Sequence, residues 1–294
     1  MIHIVHGELV KTITQDGIEL QGFWIDKKSD IAVFHSHGTA GDFYTHKFIE
    51  IEGEKLALEN TSFLTANNRG HDVYADVRKH QNGNVEWNQI GGAFERFEDC
   101  IFDITAWLDF LSKRGVRKII LQGHSLSQKL IYYQNQKRDP RIIGQIHLSP
   151  CNDAGFMYFL LGERKYLETN KMIQKMIDSG KERELLPKEL AVVCPMSALA
   201  YSGYLTEESL GNIFPYHNSN SPKWELVSKV KEPILAIFGG ADTFIKPSSE
   251  DAARLLRQKA KAATVKIIQN APHSYVGFED ELVGEIIRWI KKVK

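Results

Sequence analysis

Residues 118–136 constrain the fold of this chain more than any other stretch. Lys118-Ile119-Ile120-Leu121-Gln122 is β-rich and apolar, runs without a break into Gly123-His124-Ser125-Leu126-Ser127, and passes at once into a helix-like segment. Strand, sharp turn and helix put one residue, Ser125, at the apex. There its backbone is strained, its hydroxyl exposed, and the start of the following helix favours negative charge beside it. This is the sequence form of a nucleophile elbow. The usual last position of the pentapeptide is glycine, because strand and helix backbones approach closely; here it is Ser127. Serine is small enough to weaken the motif without breaking it. Its hydroxyl is expected to bond back to a carbonyl of the preceding strand or turn.

Gly-x-Ser-x-small also occurs in ordinary loops, so the rest of the chain must supply what a serine nucleophile needs. A serine hydroxyl is a poor nucleophile at neutral pH without a base, and the base needs an acid to orient it. In elbow architectures these follow in the order serine, acid, histidine, each just past a strand. The apolar run Ile234–Phe238 leads through Gly239-Gly240-Ala241 to Asp242, and Val265–Ile268 leads through Gln269-Asn270-Ala271-Pro272 to His273. Taken singly, Asp242 reads as a turn residue and His273 as a loop histidine. Three residues of the right types, in the right order and each past a strand, make Ser125, Asp242 and His273 the candidate catalytic set. The candidate oxyanion hole combines the backbone N–H of Leu126 with that of Thr39, in the loop His37-Gly38-Thr39-Ala40-Gly41. Gly38 is expected to let that backbone turn its N–H groups inward.

The arrangement of elements supports this frame. Glu8–Thr14 and Ile18–Asp26 alternate about Asp16-Gly17, the signature of a hairpin. From residue 31 onward strand-like and helix-like runs alternate, which implies parallel strands with helices on both faces. After the strand Ser62–Ala66 and the turn 67–72, a polar loop is expected before the helix near 94–111. His71 in Asn68-Arg69-Gly70-His71 is expected to brace a turn beside the site. Residues 150–228 break the rhythm: they are helix-rich and then loop-rich, and they are bounded by Ser149-Pro150 and Ser221-Pro222. A stretch of under about 80 residues makes a marginal core alone, so it reads as a cap inserted into a core formed by 1–149 and 229–294. Within it Phe156, Phe159 and Tyr201 are candidate substrate-binding residues; at helical spacing they serve equally as cap core.

Composition excludes other classes. Of 294 residues 43% are hydrophobic and 25% charged, and Lys+Arg and Asp+Glu both number 37. A formal net charge of zero gives no global field for nucleic acid or anionic membrane. No apolar run approaches membrane-spanning length, and the start, Met1–Gly7, lacks the layout of a signal peptide. Cys100, Cys151 and Cys194 show no metal-ligand spacing and read as free buried thiols of a reducing, cytoplasmic compartment. No phosphate loop or dinucleotide fingerprint is present. The expectation is a protein with no cofactor, no metal, no nucleic-acid partner and no membrane, acting on a small acyl ester; monomer and dimer are both open.

The His-Gly loop at 37–38, Asn-Arg-Gly-His at 68–71, Gly-His-Ser-Leu at 123–126, Asp242 and His273 together resemble the α/β-hydrolase superfamily over nearly the whole chain. The resemblance implies an α/β fold with an eight-stranded, mostly parallel sheet, helices on both faces and an inserted helical cap. It also implies a cofactor-free serine hydrolase, most often a carboxylesterase. Phe34–Gly41 looks like a subgroup that includes fungal siderophore-ester hydrolases. Thioester or amide hydrolysis and acyl transfer use the same residues, and a catalytically idle fold that holds a ligand under its cap is the rival of another class.

Overall fold

The computed structural model describes residues 5–261 and 263–294. The antiparallel pair β1 (Glu8–Ile13) and β2 (Glu19–Ile25) leads into β3 (Ile31–Ser36), α1 (Lys47–Leu58) and β4 (Ser62–Ala66). A small hairpin, β5 (Ala75–Gln81) and β6 (Asn84–Ile90), precedes α2 (Cys100–Lys113), β7 (Lys118–His124), α3 (Gln128–Lys137) and β8 (Ile142–Leu148). Four helices come next: α4 (Asp153–Leu161), α5 (Glu163–Asp178), α6 (Ala198–Tyr204) and α7 (Trp224–Ser228). The chain closes with β9 (Ile234–Gly239), α8 (Ser249–Lys259), β10 (Ala263–Ile268) and α9 (Glu279–Val293).

Eight strands form one sheet in the order β1-β2-β4-β3-β7-β8-β9-β10. The first hairpin joins antiparallel through β2 and β4, and every pair from β4 to β10 is parallel. Strands covered on both faces can be apolar throughout, and β3, β4 and β9 are buried at every position. Side chains alternate between faces along a strand. Ala32, Phe34, Ile119 and Leu121 therefore meet Trp107, Leu108 and Leu111 of α2 on one face. Val33 and Ile120 join Phe48 of α1 and the α9 stripe Leu282, Val283, Ile286, Trp289 and Ile290 on the other. That stripe has the i, i+1, i+4, i+7, i+8 spacing of an amphipathic helix.

The stretch read as a polar loop is partly a hairpin. Its turn residues, Asn82 (φ +52°) and Gly83 (φ +79°), have the left-handed pair of conformations that a tight two-residue turn requires. Asn-Gly was the available signal. The polar, poorly alternating strands hid it, since β6 is exposed at most of its positions.

Candidate active site

Ser125 sits at the carboxyl end of β7 with φ +62°. That region costs a side-chain-bearing residue roughly 1–3 kcal/mol and persists only when the surroundings over-determine it. They do so here: Ser125 N–H donates to Leu148 O at 2.9 Å, and Ser125 O accepts from Ser127 N–H at 2.7 Å and Cys151 N–H at 3.1 Å. Water reaches the Ser125 side chain, which is only partly buried. A Cβ on Gly123 would fall 2.9 Å from Ser127 Cβ, and one on Gly38 would fall 2.7 Å from Ser125 Cβ. Gly38 is thus required by close approach. The left-handed turn in its loop falls instead on Ala40, with φ +50°.

Ser127 departs from the expected back-bond to a carbonyl. Its Oγ lies 3.0 Å from Nδ1 of His147 on β8, and His147 Nε2 lies 3.2 Å from Gln145 Oε1. Burial pushes His147 down to about 3, so the ring is neutral. Ser127 Oγ and the neutral ring thus share one hydrogen bond, and the other ring nitrogen faces Gln145. The partner comes from a neighbouring strand, which sequence spacing does not reveal.

Asp242 and His273 are brought together by the ends of β9 and β10. His273 Nδ1 and Asp242 Oδ2 are 2.7 Å apart, with the Asp242 side chain fully enclosed. Oδ1 accepts from Phe244 N–H at 2.9 Å, so both carboxylate oxygens are satisfied. The carbonyl of His273 accepts from His124 Nε2 at 2.8 Å and from Ser149 Oγ at 3.2 Å. Two residues on, the Tyr275 hydroxyl accepts from Ser149 N–H at 2.9 Å and donates to Ile237 O at 2.7 Å. The loop after β10 is thereby pinned to the ends of β7, β8 and β9. Burial holds His124 well below the usual histidine range, so its neutral ring donates from Nε2. Ser125 Oγ lies 3.4 Å from Cys151 Sγ, and among the described residues it makes no hydrogen bond to His273.

The two candidate oxyanion donors, the N–H groups of Thr39 and Leu126, donate to nothing among the described residues. Their loop is braced from behind. His37 Nδ1 donates to Gly38 O at 2.8 Å, while Nε2 accepts from Asn68 N–H at 3.1 Å. Asn68 Nδ2 reaches Ser36 Oγ and His37 O, both at 3.1 Å, and Ala40 N–H donates to Gly70 O. The brace is therefore Asn68 and Gly70. The His71 ring turns instead to Asp72, 2.8 Å away. Arg69 is buried among Asp16, Asp99 and Asp103 and fixes this turn to α2 and the first hairpin.

Of the three aromatic candidates, the structure brings one near the imidazole. Phe156 is partly buried, with its ring 5.5 Å from Phe244, whose own ring is 4.9 Å from His273. Phe159 is 47% exposed and packs on Tyr158. Tyr201 is fully buried in the core shared by the inserted helices and the sheet. Sequence reasoning passed over a second polar group beside the elbow: Gln128, Asp153, and the buried Lys129–Glu95 ion pair. Burial pushes Asp153 up to about 6. The three cysteines are free and buried, and among the described residues no helix is long and apolar enough to cross a membrane.

Comparison with family models matches residues 92–291 to a family described as "Protein of unknown function (DUF1749)". Several solved structures are similar over nearly the full chain. The esterase Pf2001 of Pyrococcus furiosus is 17% identical with a TM-score of 0.63, covering 98% of this chain and 91% of that one. Est1E of Butyrivibrio proteoclasticus, solved with ferulic acid bound, is 17% identical with a TM-score of 0.67, covering 97% and 99%. The α/β hydrolase GrgF of Penicillium sp. sh18 is 12% identical with a TM-score of 0.68, covering 98% and 99%. At these identities the likeness is one of fold, and the fold is that of the α/β hydrolases. A search of curated proteins gave no match.

Proposed function

The chain belongs to the DUF1749 family of proteins of unknown function, and from the geometry of its site we propose that it is a serine hydrolase cleaving carboxylic esters. The observation that carries this reading is the pairing of His273 with Asp242 at 2.7 Å, set at the same sheet edge as a serine held at φ +62°. The esterases among its structural neighbours agree with it at the level of fold.

In this reading Ser125 Oγ turns from Cys151 to His273 Nε2, which takes its proton as Oγ attacks the ester carbonyl. Asp242 keeps the proton of His273 on Nδ1 and stabilises the imidazolium that forms. The N–H groups of Thr39 and Leu126 receive the oxyanion, and being unpaired beforehand they need no reorganisation to do so. His273 then protonates the departing alcohol, and a water activated by the same ring releases the acid from the acyl-enzyme. The helices between β8 and β9 act as the cap, with Phe156 and Phe244 on the path to the imidazole.

The test is a fluorophosphonate probe together with an ester panel on the purified protein. Ser125 is the expected site of labelling, and Ser125→Ala should lower kcat/KM by at least about 10⁴-fold while the protein stays folded. A variant keeping a tenth of the activity would remove Ser125 from the mechanism. Absence of both labelling and turnover in the native protein would favour an idle ligand-binding fold.

A further inference from the structure

Asp153 is the first residue of α4 and lies two residues past Cys151, whose sulfur touches the Ser125 hydroxyl. Its Oδ2 accepts from Gln128 Nε2 at 2.6 Å, and Gln128 opens α3 directly behind the elbow. The two side chains therefore meet across the starts of the two helices that flank Ser125. The other end of the same amide, Gln128 Oε1, is buried and has no donor among the described residues. Gln128 is 1% exposed. Asp153 itself, like Ser125 and His273, remains partly open to water.

The charges around it do not balance. Among the described residues no lysine or arginine pairs with Asp153; Lys129, the cation on the same helix as Gln128, is taken by Glu95. Burial disfavours its charge, the Gln128 amide and then His273 favour it, and Glu95 opposes them. A partly exposed carboxylate with a neutral amide as its donor, beside an acceptor lacking any donor, is complementary to a group that brings both hydrogen-bond donors and positive charge. A hydroxyl would satisfy the acceptors but leave the charge uncompensated.

We propose that Asp153 and Gln128 Oε1 form a subsite for a protonated amine, and that the substrates of this enzyme are esters bearing an ammonium group near the scissile bond. The substrate class rests on the reading of Ser125 as an ester-cleaving nucleophile. With Asp153 pushed up to about 6, the carboxylate is mostly ionised at neutral pH, as an ammonium partner requires.

The test compares matched esters ending in a methyl, an ammonium or a carboxylate group of similar size, placed on the acyl side in one set and on the alcohol side in the other. Rates are read as ratios within each protein, so a general loss of activity cancels. In one set the native enzyme should favour the ammonium ester over the neutral one by about tenfold or more in kcat/KM, the least expected of a hydrogen bond to a charged group. It should also disfavour the carboxylate ester. Asp153→Asn should bring both ratios toward one, with Asp153→Ser as the second variant. An ammonium ester no better than its neutral match in both sets overturns the proposal, as does a preference surviving in either variant; if neither variant folds, the order in the native enzyme decides. Should no ester be cleaved by the native protein, the hydrolase reading is what fails. The subsite is then tested by calorimetry with an alkylammonium and an alkylcarboxylate of equal length. Tighter ammonium binding supports it, and equal or reversed affinity overturns it.

Discussion

Two buried side chains show how single residues set the stability of this molecule. Ser127 shares a hydrogen bond with the neutral ring of His147, so Ser127→Ala leaves a buried ring nitrogen without that partner. The expected cost is about 1–3 kcal/mol, measured by urea unfolding. A change below about 0.5 kcal/mol would mean that the bond carries no net stability. Glu52 on α1 is fully enclosed, with Gln122 Nε2 2.7 Å from its Oε2, and burial pushes it up to about 8. Between its ordinary value of 4.5 and about 8 the native state holds a proton that the unfolded chain releases. Stability from this group is therefore complete at low pH and lost as pH rises through that window. Glu52→Gln removes the titration, so the variant should gain on the native protein as pH rises from 4.5 to about 8. A difference in unfolding midpoint that stays flat with pH would contradict this. Neither effect was legible in the sequence. Ser125, Asp242 and His273 could be picked out because each follows its own strand; the partners of Ser127 and Glu52 arrive from other strands and helices, and only the sheet order brings them close.

Among the elements, the strand ends matter more than the strands. Tyr275 ties the β10 loop to Ser149 past β8 and to Ile237 within β9. Tyr275→Phe leaves Ser149 N–H with its second acceptor, Ile237 O at 2.8 Å, so the loss in stability should be modest, about 0.5–1.5 kcal/mol. The effect on rate should be larger, up to about 10²-fold in kcat/KM, because the tie sets the position of His273. Full activity in a variant of reduced stability would show that His124 and Ser149 hold the loop unaided. Most elements could be read from periodicity, α9 best of all, because one face of a helix or strand must be apolar to pack. The hairpin β5–β6 could not, since it packs little of either face and its strands are polar. Its turn alone, Asn82-Gly83, carried the information.

At the scale of the whole molecule, the helices between β8 and β9 are not a detachable module. Tyr166, Tyr201 and Phe214 from that region share one buried cluster with Leu126 and Ile131 beside the elbow, Phe238 of β9 and Leu256 of α8. Deleting residues 154–228 would expose that face of the sheet and both flanking helices. The expected product is insoluble or lacks a cooperative transition, and the intact chain should unfold by heat in a single calorimetric transition. Two separated transitions, or a soluble and folded remainder, would show that the insertion is an independent domain. The break in β/α rhythm made the insertion visible in the sequence; the shared core was not visible, because apolar residues at helical spacing look the same whether they face one another or the sheet. The tether at His124 has a bearing on transplanting this site. The residue immediately before Ser125 holds the backbone of His273, so the segments carrying them are fastened to each other directly. A graft of Ser125, Asp242 and His273 into a foreign scaffold would lack that fastening unless His124, Ser149 and Tyr275 travelled with them. The smallest portable unit is six residues on four strand ends.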